Sequence, residues 1–340
     1  MIYRSKAPLR IGLAGGGTDV SPYSDLYGGA ILNATISLYA NATIEPIADN
    51  KIILETIDRN EQQQFDWSKE LPIDGKLDLL KGIYNRIQKD YGIKPQGFRL
   101  STYVDAPAGS GLGTSSTLVV AIIGAFAEML RLPLGEYDMA QYAYEIERKD
   151  LKLAGGKQDQ YAATFGGVNF MEFYADDKVI VNPLRIKQQY LFELENNLLL
   201  YYTSTSRDSA NIIKKQSKNV TDKKDSSIEA MHQLKEQAKL MKEALLKGKL
   251  NDIGEILDFG FQQKRQMAEG ISNPLMEEIY ETAKNAGASG GKISGAGGGG
   301  FMIFYCPVNT KYAVIKSLDK FGGRYRRYKF TEHGLTTWTI

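Results

Sequence analysis

An α+β fold in two parts is what this sequence predicts, and three observations lead there. The first half carries Ile- and Thr-rich segments of alternating polarity, interleaved with helical patterns. Near residue 185 the character changes, and residues 208–286 read as mostly helical with a Lys/Gln/Glu-rich solvated face. The chain then closes on strand, glycine-rich loop, strand, helix and strand. Counted from a strand at 197–203, that order is β-α-β-β-α-β. A chain of 340 residues is long enough for two well-buried cores. The expected parts are residues 1–185 and 186–340.

Element by element, residues 1–14 read as a strand broken by Pro8, and 30–47 and 51–57 as strands. Residues 77–91 have helical period and stop at Gly92. A strand at 97–104 leads into a glycine-rich loop and then an apolar helix at about 114–131. A second helix is expected at about 136–150, a short one at 157–165, and a hairpin at 167–174 and 178–182. Residues 216–226 read as a polar loop. The last elements are strands at 290–294 and 300–306, a helix and a final strand.

Composition excludes several function classes. Net charge is +2, so nothing in the bulk electrostatics points to nucleic acid or a membrane. The cluster Arg324, Arg326, Arg327 and Lys329 reads as a solvated strand face. The single cysteine, Cys306, precludes an internal disulfide and a Cys-based metal site, and reads as a small core residue. Two histidines, His232 and His333, lie outside any acidic or glycine-rich cluster, which argues against His-dependent hydrolysis. The first residues have no apolar signal core, and no stretch reaches the ~18 apolar residues of a membrane span. A cytoplasmic protein is expected.

Three glycine-rich segments carry the chemistry. The first is Pro8 to Asp19, with G-G-G-T-D from Gly15 to Asp19. The second is Pro107, Ala108, Gly109, Ser110, Gly111, Leu112, Gly113, Thr114, Ser115 and Ser116, immediately before the apolar helix. The third is K-I-S-G-A-G-G-G-G-F, Lys292 to Phe301. Glycines let backbone N–H groups crowd an anion, and a helix start adds unpaired donors and a positive dipole end. The second segment thus reads either as a phosphate cradle, with hydroxyls placed for a phosphate-bound Mg²⁺, or as a tight turn before a helix. It is neither a Walker A loop nor a dinucleotide fingerprint, since Thr114 stands where the third glycine belongs. The D-F-G at Asp258 to Gly260 lies in a helical stretch with no H-R-D anywhere, so it is not a protein-kinase signature. The third segment contains a G-x-G-x-x-G, but a strand follows it.

In order, spacing and context the three segments resemble the motifs of the GHMP small-molecule kinases over nearly the whole chain. The G-G-G-T-D form is similar to the branch that phosphorylates the anomeric hydroxyl of fucose and of heptose phosphates. The resemblance implies an N-terminal ribosomal-protein-S5-domain-2-like α/β domain and a C-terminal ferredoxin-like α+β domain. It implies an ATP- and Mg²⁺-dependent sugar kinase acting on C1 of D-glycero-D-manno-heptose 7-phosphate, in the synthesis of nucleotide-activated heptose. Within the same chemistry the alternative is a neutral-sugar 1-kinase such as a fucokinase. A non-catalytic sugar or nucleotide sensor on the same fold is the alternative from another class.

Site residues follow from the same resemblance. Pro107 to Ser116 would wrap the ATP phosphates. Ser115 and Glu147, in E-I-E-R-K-D, would hold Mg²⁺, with Glu145 as a substitute for Glu147. Asp159, in G-G-K-Q-D-Q, would be the catalytic base, and Arg10 would face the transferred phosphate. Gly16, Gly17, Thr18 and Asp19 would contact the sugar, and Gly297 and Gly298 would close the site. A 7-phosphate needs a second anion site, for which Arg207, Lys264 and Arg265 are candidates. The adenine pocket is expected in the 50–85 region, with Trp67 as a candidate. Monomer and homodimer both stay open.

Overall fold

The computed structural model describes residues 1–205 and 209–340. Two sheets organise the chain. The first contains β1 (Tyr3–Ala14), β2 (Gly29–Pro46), β3 (Lys51–Thr56), β4 (Glu61–Asp66), β5 (Phe98–Val104), β6 (Val168–Phe173) and β7 (Val179–Pro183). The second contains β8 (Leu198–Tyr202), β9 (Gly290–Ile293), β10 (Phe301–Tyr305) and β11 (Arg324–Tyr325). The last strand, β12 (Thr336–Thr339), returns to the first sheet and pairs with β1. The two sheets fit a proposed division near residue 185, with β12 crossing back.

The first sheet runs β12-β1-β2-β5-β3-β4, and β6 and β7 extend it from the other end of β2. The 18 residues of β2 explain the branch: Ala40 to Pro46 pair with β5, while Gly29 to Ala34 pair with β6. The second sheet has the order β11-β8-β10-β9. That is the antiparallel 4-1-3-2 arrangement of a βαββαβ unit, as the sequence pattern and the ferredoxin-like expectation required.

Between the strands lie α1 (Tyr23–Tyr27), α2 (Asp78–Tyr91), α3 (Thr114–Leu130), α4 (Glu136–Glu145), α5 (Gln158–Phe165) and α6 (Gln188–Asn197). The second half adds α7 (Ser209–Thr221), α8 (Asp225–Lys247), α9 (Ile253–Met267), α10 (Pro274–Asn285) and α11 (Lys311–Leu318). One core packs α2, α3 and α4 on the first sheet through Leu80, Ile83, Val120, Ile123 and Phe126. A second joins that sheet's other face (Leu9, Ile11, Leu13) to α8, α9 and the second sheet (Met241, Leu257, Leu200, Ile303). Each such side chain contributes about 1.5–3 kcal/mol. A third core packs α10 and α11 on the second sheet through Ile279, Ala283 and Val314. Among the described residues no helix is long and apolar enough to cross a membrane.

Several expectations are corrected. β1 is not broken at Pro8 but runs through it with a register shift between Pro8 and Arg10. Across that irregularity β1 advances two residues while β2 advances four, from Tyr39 to Thr35, and the bulged pairing separates two stretches of β1 that face different layers. Ala7 accordingly packs in the first core, while Leu9 and Ile11 pack in the second. The expected polar loop at 216–226 is mostly helix, because α7 continues to Thr221 and buries Ile212 and Val220. β4, α1 and α6 have no counterpart among the sequence expectations. Cys306 is fully buried, the D-F-G triplet lies inside α9, and Arg324, Arg326, Arg327 and Lys329 are exposed, all as read from sequence.

The second and third glycine-rich segments meet backbone to backbone. Gly111 has φ +83°, and a Cβ there would collide with Ser294 O. Gly295 has φ +71°, and its Cβ would stand 2.6 Å from the Gly111 Cα. Gly111→Ala is therefore expected to lower stability by roughly 1–3 kcal/mol from the left-handed φ alone, before the collision is counted. A denaturant midpoint equal to that of the unsubstituted protein would show that this close approach is not a constraint.

Candidate active site

A cavity of about 320 Å³ lies where the three glycine-rich segments converge. Its walls include Arg10, Gly12, Gly16, Gly17 and Asp19 from the first segment, Gly109 to Ser116 in part from the second, and Gly295 and Ala296 from the third. Glu147, Asp159, Lys264 and Lys292 also face it.

Arg10 is 4% exposed and Asp159 is 22% exposed. Arg10 Nε donates to Asp159 Oδ1 at 2.6 Å, and Nη1 donates to Gly111 O at 2.5 Å. The register shift after Pro8 places Arg10 on the face of β1 turned away from the second core, where α5 presents Asp159. One guanidinium thus ties the sheet to the loop and to the candidate base.

The loop itself is anchored rather than free. Leu112 is buried in the second core, and its carbonyl accepts Arg10 N. The Ser110 carbonyl accepts Phe301 N, while its buried hydroxyl has no partner among the described residues. Gly109, Gly111, Gly113, Thr114, Ser115 and Ser116 reach the cavity. Pro107 and Ala108 instead border a neighbouring cavity of about 640 Å³, with Asp58, Arg59, Phe301 and Arg324. α3 follows Gly113, which supplies no side-chain cap, and Thr114, Ser115 and Ser116 of its first turn line the cavity.

Glu147 is 1% exposed although it lies on a helix. The expected helix at 136–150 widens at its end: residues Ile146–Asp150 form a π-type turn closed by Leu151 N donating to Ile146 O at 2.9 Å. Such turns re-aim side chains and cluster at functional sites. Here Glu147 Oε1 accepts Ser115 Oγ at 3.4 Å, and Oε2 accepts Gln160 Nε2. Glu145 points elsewhere and pairs with Arg86 at 3.0 Å, so it does not substitute. A hydroxyl and a buried carboxylate are hard oxygen donors and fit a Mg²⁺ ion. No group of three or more His, Cys, Asp or Glu placed to hold a metal ion occurs among the described residues, so phosphate or water oxygens would complete such a site.

Asp19 is 2% exposed. Its Oδ2 accepts Lys157 N at 2.9 Å and Gln158 N at 3.1 Å, capping the helix that carries Asp159. Gly156 allows this approach, since any Cβ there would collide with the carboxylate. Burial pushes the Asp19 carboxyl above the ordinary range, the backbone N–H of Gln158 opposes that, and the charge of Asp159 adds to it.

Other expected site residues among those described do not line this cavity. Thr18 does not line the cavity, because its hydroxyl bridges Gly15 O and Ala30 O. Gly297 and Gly298 face Ile271, whose carbonyl accepts Gly298 N at 2.7 Å. Arg265 turns outward to Glu277 and stacks over Phe261, because neighbours on a helix point about 100° apart. Arg207 lies outside the described residues. Trp67 packs against the first core rather than forming a pocket wall, although Asp58 and Arg59 of the same region border the second cavity. Sequence reasoning missed Gln160, which links Ser116 to Glu147, and Lys292, whose Nζ donates to Gly12 O at 2.8 Å. Lys292 opens the third segment, so its place was visible but its burial was not.

Comparison with known proteins bears on this site. Residues 78–167 match the family model for the GHMP kinases N terminal domain, and residues 241–323 that for the GHMP kinases C terminal. The chain is 50% identical over 337 residues to the D-glycero-alpha-D-manno-heptose 7-phosphate kinase of Campylobacter jejuni, covering 99% of each. It is 28% identical to the L-fucokinase/L-fucose-1-P guanylyltransferase of Bacteroides fragilis, over 92% of this chain but 35% of that protein. A crystal structure of a D-glycero-D-manno-heptose 1-phosphate kinase from Bacteroides thetaiotaomicron superposes with a TM-score of 0.85 at 46% identity, covering 99% of each chain.

Lys264 gives this cavity a measurable cost. Burial pushes its ammonium down from 10.5 to about 8, against the partial relief of Asp19. Below pH 8 the lysine is charged both folded and unfolded, and the folded state bears the full penalty. Between about 8 and 10.5 the unfolded chain holds the extra proton, so stability rises with pH. Lys264→Met is thus expected to be more stable than the parent at pH 7, by up to about 3 kcal/mol, with the advantage shrinking towards pH 10. Denaturant unfolding at several pH values checks this, and a pH-independent difference would contradict it.

Proposed function

The chain belongs to the GHMP kinases, and on that premise we propose that it transfers the γ-phosphoryl group of ATP to the anomeric C1 hydroxyl of D-glycero-D-manno-heptose 7-phosphate. The products are ADP and the 1,7-bisphosphate, on the route to nucleotide-activated heptose. It is a sugar kinase, a phosphotransferase with an alcohol acceptor. The acceptor reading rests on the half-identical Campylobacter jejuni relative. The observation that carries the chemistry is the Arg10–Asp159 pair facing an uncapped helix start in one cavity.

Asp159 is the base. Arg10 fixes Oδ1, and Oδ2, outside that ion pair, takes the proton as the C1 oxygen attacks phosphorus. Phosphoryl transfer asks mainly for positioning and charge neutralisation. The amides of Gly109 to Ser116 and the start of α3 receive the phosphates, and Arg10 adds fixed positive charge beside them. Ser115 and Glu147 would hold Mg²⁺, which when bound neutralises phosphate charge. The nucleoside lies in the second cavity, which continues from Pro107 and Ala108. Asp19 accepts sugar hydroxyls through the oxygen that does not cap α5. GHMP kinases use ATP, generally with Mg²⁺.

Asp159→Asn is expected to lower kcat by ~10²–10⁴ with saturating substrates, since a positioned base contributes about that much. Near-parental turnover would remove Asp159 from the role. Arg10→Ala should lower kcat more than it raises KM. Parallel assays with ATP and heptose 7-phosphate, fucose or mannose should rank the phosphorylated heptose first. Preference for fucose would make the chain a neutral-sugar kinase, and absence of ATP turnover would make it a sensor.

A further inference from the structure

Four lysines are buried among the described residues: Lys81, Lys157, Lys264 and Lys292. Two follow the ordinary rule that a buried charge is paired. Lys81 meets Asp74 and Asp78, and Lys157 meets Asp25 at 3.2 Å and Asp177 at 3.1 Å. The other two, 2% and 3% exposed, have no carboxylate within ion-pair distance among the described residues, and both face the cavity. Lys264 Nζ donates to Gly16 O at 3.4 Å and Lys292 Nζ to Gly12 O at 2.8 Å. Each ammonium has three donors, so further capacity points elsewhere.

Both ammonium groups converge on one spot. A Cβ on Gly16 would stand 3.5 Å from Lys264 Nζ and 4.0 Å from Lys292 Nζ. We propose that Lys264 and Lys292, with Gly16 kept bare between them, form the clamp for the acceptor's own phosphate. This assignment rests on the heptose 7-phosphate reading above and supplies the anion site that Arg265 does not.

The charge balance of the cavity supports it. Arg10 is matched by Asp159, and Arg148 lies 3.7 Å from Glu147. Only Asp19 then remains against two lysines, which leaves an excess positive charge for an incoming phosphate. The nucleotide's phosphates have their own donors in the loop and at the start of α3. The lysines come instead from α9 and β9 and reach the carbonyls of β1 and its turn. Burial drops Lys292 well below the ordinary lysine range, and the charges of Lys264 and Arg10 lower it further. A bound phosphate would relieve both groups. Lysine acts here as a point charge for phosphate.

The test is a ratio. Lys264→Met and Lys292→Met are each assayed with D-glycero-D-manno-heptose 7-phosphate and with the unphosphorylated heptose. The ratio of the two kcat/KM values should fall about tenfold to a hundredfold in each variant, through the KM of the phosphorylated acceptor. A ratio equal to the parental one in both overturns the clamp. In the unsubstituted enzyme, inorganic phosphate should compete with heptose 7-phosphate and not with ATP. Competition with ATP alone would move the lysines to the nucleotide side. If the unsubstituted enzyme does not prefer the phosphorylated heptose, the acceptor reading itself fails. Preference that survives both substitutions removes only the clamp.

Discussion

The structure depends on a contact made without side chains. Gly111 lies against Ser294 and Gly295, and Gly300 lies against Ser110, so the loops of the two sheets touch at backbone distance. Phe301 N donates to Ser110 O, and Ser294 Oγ to Gly111 O, locking the approach with hydrogen bonds. Any Cβ at these positions would hold the two halves apart and open the cavity between them. Arg10 then completes the joint, since the carbonyl it binds belongs to Gly111. The glycines are therefore as much the hinge pin of the architecture as the lining of a phosphate site.

Around that joint the molecule accepts local instability. Two ammonium groups and the Asp19 carboxyl are buried along the cavity with little exposure, and each is displaced from its ordinary protonation range. Lys81 and Lys157 show that the same chain pairs its buried lysines elsewhere. Charges left unmatched in the free protein are charges a ligand can match.

Much of this was legible in the sequence, and the reasons differ by element. Strand alternation, the apolar run of α3 and the glycine segments are local signals, so the sheets and the loop follow from them. The roles assigned to Arg10, Ser115, Glu147 and Asp159 came through resemblance, and the fold brings all four side chains to one cavity. What was not legible is direction. Lys264 and Arg265 are neighbours, yet one faces the cavity and the other Glu277. Thr18 has a hydroxyl in the right segment, but its hydrogen bonds close the turn. Residues 216–221 look polar, yet Gln216 and Val220 are buried on α7, because tertiary packing outweighs local composition.

The widened turn at residues 146–150 separates two kinds of change that a helix usually couples. An α-helix advances about 100° per residue, so one additional residue in a ring rotates everything beyond it by about that angle. The apolar face of α4 is thereby out of phase with the carboxylate that follows it. Exchanging side chains along α4 leaves that offset untouched, whereas a single-residue insertion or deletion resets it. In this part of the molecule, the direction of the Glu147 carboxylate is encoded in the spacing of the chain as much as in the identity of its residues.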